Sequence, residues 1–398
     1  MSHSTFFPQA VYAPADANQP VPRVLVAPPK YIQGPRALDH AGRYLSTMNL
    51  QRVGILASAR AHDAQAGQVL RSLTDTGVSC VPATFAGECS LPAIDEAVAI
   101  LRDEAVDCVV AVGGGKCVDA GKCVAYRLDV PVVIVPTLAS NDAPCSAVSV
   151  LYTPEGVDAG VEFFPDNPAC VIVDTEVVAN ASERYLIAGM GDAMATWYEA
   201  KVCLENPDAR NVVGGRPTLA ACALGEICAS TLYADGQSAS DAVRGNSVSE
   251  SLERVVEANT LLSGMGFESG GLAAAHGIAQ GYTRVASVQS NYLHGELVAM
   301  GVMTQLMMLR DVDEARRVAE FFARVGLPIR FMQIGLEAAA RESIDSVVDG
   351  AMDFLFIHNM PFTVSAQRVR QAMLDADVLG KSVAEKLGDK AYRRVQAG

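Results

Sequence analysis

From residue 23 to residue 181, short apolar runs of strand length alternate with segments whose apolar residues recur at helical spacing, and this alternation leaves few possible architectures. The runs at 23–27, 52–57, 78–83, 108–112 and 132–135 read as strands, with helices at 36–48, 63–76, 92–104 and 117–127 between them. Strands apolar on both faces, separated by helices, belong to a parallel sheet covered on both sides. After the run Cys170-Val171-Ile172-Val173-Asp174 the pattern changes. From Ser182 onward the segments 183–204, 217–233, 247–263, 269–280, 292–309, 313–325, 336–341 and 366–377 all read as helices. The expected organisation is an arm at 1–22, an α/β domain with a Rossmann-like parallel sheet at 23–181, and an all-α domain at 182–398.

Composition narrows the function classes. Half of the 398 residues are hydrophobic and 19% are charged, enough apolar surface for two cores and too much for a disordered chain. Against 45 acidic residues there are 31 lysines and arginines, a net charge of −14 with no dense basic run, which opposes nucleic-acid binding. The ten cysteines form no CxxC pair and read as small core residues of a protein working in a reducing cytoplasm. No stretch reaches the ~20 apolar residues of a spanning helix, so no membrane partner is expected. The first 22 residues contain four prolines and lack the basic-then-apolar order of a signal peptide.

Strand 108–112 runs directly into Gly113-Gly114-Gly115-Lys116 and then into helical sequence. Strand, glycine turn and helix start together expose backbone N–H groups to an anion, where the helix dipole adds up to about 2 kcal/mol. The turn reads as a dinucleotide phosphate cradle with Lys116 as its local cation; taken alone, it equally fits a tight turn with an exposed lysine. The next strand ends in Pro136-Thr137-Leu138-Ala139-Ser140-Asn141-Asp142-Ala143-Pro144-Cys145-Ser146, a hydroxyl-rich loop at the end of the sheet where open α/β folds bind ligands. Thr137, Ser140 and Ser146 suit phosphate or nicotinamide amide contacts, and Asp142 suits a substrate hydroxyl; ordinary turn chemistry explains the same residues. In the helical half, Asp192 lies among small and apolar neighbours, as do His276 and His294. One carboxylate and two neutral imidazoles make three ligands with a fourth position open, the arrangement of a catalytic divalent metal, although no HExxH-type spacing links them.

Seven blocks in order carry a resemblance: the GGGK turn, Ser140 to Ser146, Asp174-Thr175, Gly189 to Trp197, Gly266 to Leu272, His294-Gly295-Glu296 and Ile357 to Pro361. With them the chain resembles the iron-containing (group III) alcohol dehydrogenase family, over nearly everything after the first two dozen residues. That resemblance implies the dehydroquinate synthase-like architecture of an NAD-binding α/β domain and a helical metal-binding domain with a cleft between them. It implies Asp192, His276 and His294 as ligands of Zn2+, with Fe2+ less favoured because Thr196 stands where iron-dependent members carry a further histidine. It implies Ser58, Gly113, Gly114, Gly115, Lys116, Asp119, Thr137, Ser140, Ser146, Val148 and Tyr152 at the cofactor, Asp142 and His276 in catalysis, and Asp142 and Phe267 at the substrate. The implied reaction is reversible oxidation of glycerol, or a related small vicinal diol, to dihydroxyacetone with hydride transfer to NAD; the implied assembly is a homo-oligomer, often an octamer.

Two departures bear on specificity. Ser58 replaces the aspartate that similar enzymes place after the second strand, and Arg60 is close by, a combination that leaves room for the 2′-phosphate of NADP. Asn141 and Pro361-Phe362-Thr363-Val364 also differ, which points to a substrate of altered size or polarity. His358 is the weaker candidate for a proton acceptor. Competing readings are a 2-oxo-acid or other carbonyl reductase, a glycerol-1-phosphate dehydrogenase or a dehydroquinate-synthase-like lyase on the same scaffold, and a non-catalytic redox sensor that binds metal and dinucleotide.

Overall fold

The computed structural model describes residues 6–14, 16, 19–337 and 340–397. Among the described residues there are eight strands: β1 Tyr31–Gly34, β2 Arg52–Ser58, β3 Ser79–Phe85, β4 Cys108–Gly113, β5 Val132–Pro136, β6 Val148–Tyr152, β7 Asp158–Phe163 and β8 Cys170–Asp174. Six form a wholly parallel sheet in the order β1-β8-β5-β4-β2-β3, and β6 and β7 pair as a separate antiparallel hairpin. Alternate side chains of the sheet enter different cores. Val53, Ile55, Val110 and Val112 pack with Leu38, Leu45 and Val69 on one face, while Leu56 and Val109 pack with Ile94, Leu101 and Val124 on the other. Burial on both faces is what lets every residue of β4 and of β8 be apolar or small up to its terminal glycine or aspartate.

The strand order sets the place of the site. From β2 the chain moves outward to β3 and then returns to lay β4 on the other side of β2. A crevice opens at such a switch point, outside the carboxyl ends of the two strands. Ser58 ends β2 and Gly113 ends β4.

Beyond β8 the regular elements among the described residues are helices, packed around one large core that also takes in Ala111, Ile134 and Val171 of the sheet. Its central pieces are the helices Glu183–Glu205, Leu219–Arg244, Ser263–Gly270, Ala274–Thr283 and His294–Leu309. Among the described residues no helix is long and apolar enough to cross a membrane.

The structure corrects two local expectations. Residues 23–27 form no strand of the sheet; β1, at 31–34, takes the edge. Between Pro22 and Pro28 the segment finds its partners on the helical half instead: Asn211 Nδ2 donates to Val24 O at 3.0 Å and Val26 N donates to Ser269 Oγ at 2.9 Å. A short apolar run fits any environment that satisfies its backbone, so composition alone did not select the sheet. Of residues 1–22, expected as an arm, 1–5, 15, 17 and 18 lie outside the described residues, and Gln9 Nε2 donates to Val212 O at 3.2 Å. The hairpin β6–β7 was not anticipated. The helix expected at 336–341 instead starts at Arg341 and runs to Met352, with 338 and 339 outside the described residues.

Candidate active site

The glycine turn sits tightly against its surroundings. A Cβ on Gly113 would lie 2.6 Å from Cys117 Cβ and 3.2 Å from Ser58 Cβ, and one on Gly115 would lie 2.5 Å from Asn141 Nδ2. Gly114 precedes the helix Gly115–Leu128 without a side-chain cap, which leaves the helix start to an external acceptor. Ser58 is therefore beside the turn, and Asn141 packs over the first helical residue. Lys116 is exposed and ion-paired with Glu88. Thr137 N donates to Gly113 O at 3.0 Å, joining the end of β5 to the turn, and Ser140 is half-buried in the loop that follows.

Other residues expected at the cofactor face inward. The buried Lys122 ammonium donates to Ala143 O at 2.7 Å, Val148 O at 2.6 Å, Asp119 Oδ1 at 3.2 Å and Ser146 Oγ at 3.4 Å. Asp119 and Ser146 thus hold the loop through a buried cation, which the sequence reading overlooked. Burial pushes the Asp119 carboxyl up against the opposing pull of Lys122. Glu268 supports the same loop, accepting from Ala147 N at 2.8 Å and from Asn167 Nδ2 at 2.6 Å; burial pushes its carboxyl up to about 7. Val148 and Phe267 share a small apolar cluster with Val212, Leu272 and Phe163. Tyr152 is half-buried in the hairpin, where its N donates to Cys89 O at 2.9 Å.

Asp192, His276 and His294 come from three different helices, and their ligand atoms lie within 4.8 Å of one another. Asp192 Oδ1 is 3.4 Å from His276 Nε2 and 3.4 Å from His294 Nε2. The approach depends on two glycines: a Cβ on Gly295 would stand 1.8 Å from Ala188 O, and one on Gly191 would stand 2.3 Å from Gly295 O. Helices Glu183–Glu205 and His294–Leu309 therefore meet backbone to backbone beside the site.

Asp142 joins this group. Its N donates to Asp192 Oδ2 at 3.2 Å, and its Oδ2 accepts from Ser263 Oγ at 3.2 Å. Adjacent residues Asn141 and Asp142 thus tie the glycine turn to the Asp192 cluster. Ser263 in turn bonds Thr196 Oγ1 at 2.8 Å, and Thr196 is fully buried, so this hydroxyl chain steadies Asp142 and leads away from solvent. His358 stands exposed in the turn Leu355–Asn359, and its neighbour Asn359 is the built-in residue, donating to Leu272 O at 2.8 Å.

Glu199 is the principal residue that sequence reasoning missed. It is fully buried, and its Oε2 lies 2.5 Å from His276 Nδ1. The available signal was its place seven residues, two helical turns, beyond Asp192 on the same helix. Electrostatics follow from the geometry. Burial raises the Asp192 carboxyl, but His294 and His276 outweigh it and hold the group below the ordinary carboxylate range. Burial lowers His276, but Glu199 and Asp192 outweigh it and raise the imidazole well above its usual value. Burial and the Asp192 charge push Asp142 up to about 7.

The donor set fits a divalent cation. Asp192 and Glu199 are two carboxylates taken out of water with imidazoles as their ionic partners, without lysine or arginine. Asp192 Oδ1 is buried without a hydrogen-bond partner. A buried acceptor left in this way suits a cation as its partner.

Fold and site together define a dinucleotide-binding, metal-dependent oxidoreductase. The chain belongs to the iron-containing alcohol dehydrogenase family, whose model matches residues 28–175. It is 40% identical to a glycerol dehydrogenase of Citrobacter freundii, over 90% of this chain and 98% of the relative, and 42% identical to one of Thermotoga maritima, over 89% and 97%. The solved glycerol dehydrogenase of Schizosaccharomyces pombe superposes with a TM-score of 0.86 at 32% identity, covering 92% of this chain and 93% of that one.

Proposed function

We propose that the protein catalyses the reversible NAD-linked oxidation of glycerol, or of a closely related small vicinal diol, to the hydroxyketone, which is dihydroxyacetone when glycerol is the substrate. The observation that carries this reading is the convergence of Asp192, His276 and His294 on one point, with Asp192 Oδ1 buried and without a hydrogen bond. These three residues would hold the metal, and one carboxylate oxygen with two imidazole nitrogens suits Zn2+. Thr196, engaged with Ser263, supplies no fourth nitrogen, which argues against Fe2+.

A divalent cation at this site supplies the Lewis acidity that lets a coordinated hydroxyl ionise near neutral pH, and the nicotinamide supplies the hydride acceptor. The chain does the positioning. Gly113 to Lys116 and the helix start receive the cofactor diphosphate. Asp142, steadied through Ser263, orients a neighbouring hydroxyl of the diol, and Phe267 with Val148 forms an apolar wall. Asn141 and Asp142, being consecutive, set the spacing between the diphosphate end and the metal end.

The test is initial-rate NADH formation with glycerol and with 1,2-propanediol, before and after chelation. Both diols are expected to turn over, chelation to remove the activity, and added Zn2+ to restore it. Failure of both diols together with rapid reduction of a 2-oxo acid overturns the assignment, and metal and NAD binding without turnover makes the protein a sensor.

Cofactor choice rests on Ser58, which neighbours Gly113, and on the exposed Arg60, which forms no ion pair among the described residues. NAD is the proposed cofactor and NADP a tolerated one. Ser58→Asp places a carboxylate against the 2′-phosphate, so kcat/KM for NADP falls about tenfold or more, roughly 1.4 kcal/mol, while the NAD value holds within about twofold. Equal losses with both cofactors would remove Ser58 from the ribose site.

The proposed setting is a reducing cytoplasm, in keeping with ten free cysteines of which nine are buried. The partners are a small polyol and further copies of the chain, with an octamer as the family resemblance implies; sedimentation equilibrium reads the copy number.

A further inference from the structure

We propose that Glu199 is a positioning residue that dictates which ring nitrogen of His276 faces the metal, and that the same carboxylate caps the helix on which His276 rides. The inference rests on the metal site proposed above. The helix Ala274–Thr283 begins with Ala273 as its N-cap, which has no side chain able to accept, so its first four N–H groups need acceptors from elsewhere. Two buried side chains from neighbouring helices provide them. Glu199 Oε1 accepts from Ala273 N at 2.8 Å and His276 N at 3.0 Å, while Gln305 Oε1 accepts from Ala274 N at 2.9 Å and Ala275 N at 2.9 Å. Both side chains are fully buried. All four donors of the helix start are therefore satisfied from outside the helix.

Glu199 differs from Gln305 in one respect. Its second oxygen reaches the His276 ring, at 2.5 Å from Nδ1. A carboxylate only accepts, so Nδ1 must donate, and when the ring is neutral, as a ligating imidazole is, its lone pair is left on Nε2, 3.4 Å from Asp192 Oδ1. The carboxylate thus sets the backbone from which His276 projects and the nitrogen it presents. A residue with either task alone would need only one of its oxygens there.

Glu199→Gln separates the two tasks. The amide oxygen can keep both backbone N–H bonds, whereas the amide NH2 now donates toward Nδ1. The ring answers by carrying its proton on Nε2, the nitrogen that should bind the metal. Zn2+ affinity, read by competition with a chromophoric chelator, should fall about 100-fold, the upper end for residues that orient a ligating histidine. The far-ultraviolet circular dichroism of the metal-free protein should stay as in wild type, because both backbone bonds survive. Gln305→Ala should do the reverse, lowering the melting temperature through two lost caps while Zn2+ affinity changes less than about fivefold.

Lost negative charge also weakens cation binding, so the variant saturated with Co2+ gives the deciding readout. A displaced imidazole alters the d–d absorption envelope, whereas a purely electrostatic loss keeps the wild-type spectrum. An unchanged spectrum at saturation, or Zn2+ affinity within about threefold of wild type, overturns the inference while the metal site stands. A wild-type protein that takes up neither Zn2+ nor Co2+ overturns the metal site and this inference with it.

Discussion

Asp192→Asn is expected to empty the proposed metal site and lower kcat/KM for glycerol by roughly 1000-fold or more, since it removes the one anionic side chain of the proposed ligand set and with it a Lewis acid worth several kcal/mol in the transition state. The substitution is nearly isosteric. The asparagine oxygen can still accept from Asp142 N, a bond now 3.2 Å long, so the loop that carries Asp142 keeps its anchor. What changes is the charge between His276 and His294, each 3.4 Å from Oδ1. Metal content by mass spectrometry should drop below a tenth of an equivalent, while NAD binding, followed by fluorescence, stays near the wild-type value because the glycine turn is built from β4 and the helix Gly115–Leu128 and not from the helix that carries Asp192. A variant that retains a full equivalent of metal and activity within tenfold would show that the metal is held elsewhere.

Gly295→Ala should damage both fold and activity, although glycine has no chemistry of its own. The new methyl would stand 1.8 Å from Ala188 O, 2.6 Å from Ala188 C and 3.2 Å from Asp192 N. Contact with backbone leaves no flexible side chain to give way, so the two helices must part by more than an ångström. Overpacking of this kind costs about 1–3 kcal/mol, and a displacement near 1 Å at the reacting geometry costs on the order of 100-fold in rate. His294 is the adjacent residue, so the displacement acts directly on a proposed ligand. Thermal unfolding should show a clearly lower midpoint, and metal affinity should fall together with kcat. A variant that melts within a degree of wild type and turns over within twofold would mean that the backbones are farther apart than described here.

Much of the site was legible as residue types. Asp192, His276 and His294 stood out because polar ligand-type side chains lay in apolar helical sequence, where each needs a partner. The Gly113–Gly115 turn stood out because a strand, three glycines and a helix start expose backbone N–H groups to an anion, although a tight turn fits the same residues. Glu199 was hidden by its ordinary surroundings at the end of a long helix, and only its Oε2 contact with His276 reveals it. Lys122 and Glu268 were hidden for the same reason: charged residues in helices usually face water, and nothing local marks these as the staples of loop 143–148. The hairpin β6–β7 escaped because its outward strand, Asp158–Phe163, is largely exposed and shows no apolar alternation.

The order of the layers followed from the chain alone, because a period of two or of 3.6 residues states which side of each segment is dry, and that is a local property. Residues 23–27 mark the limit of that reading: an apolar run records a wish for burial and is silent about which partner grants it, and here Asn211 and Ser269 took the place of a neighbouring strand. The meeting of Asp192, His276 and His294 was decided only by tertiary packing. Their separations along the chain exceed any local period, and the distance between them depends on how closely Gly191 and Gly295 let two helix backbones cross.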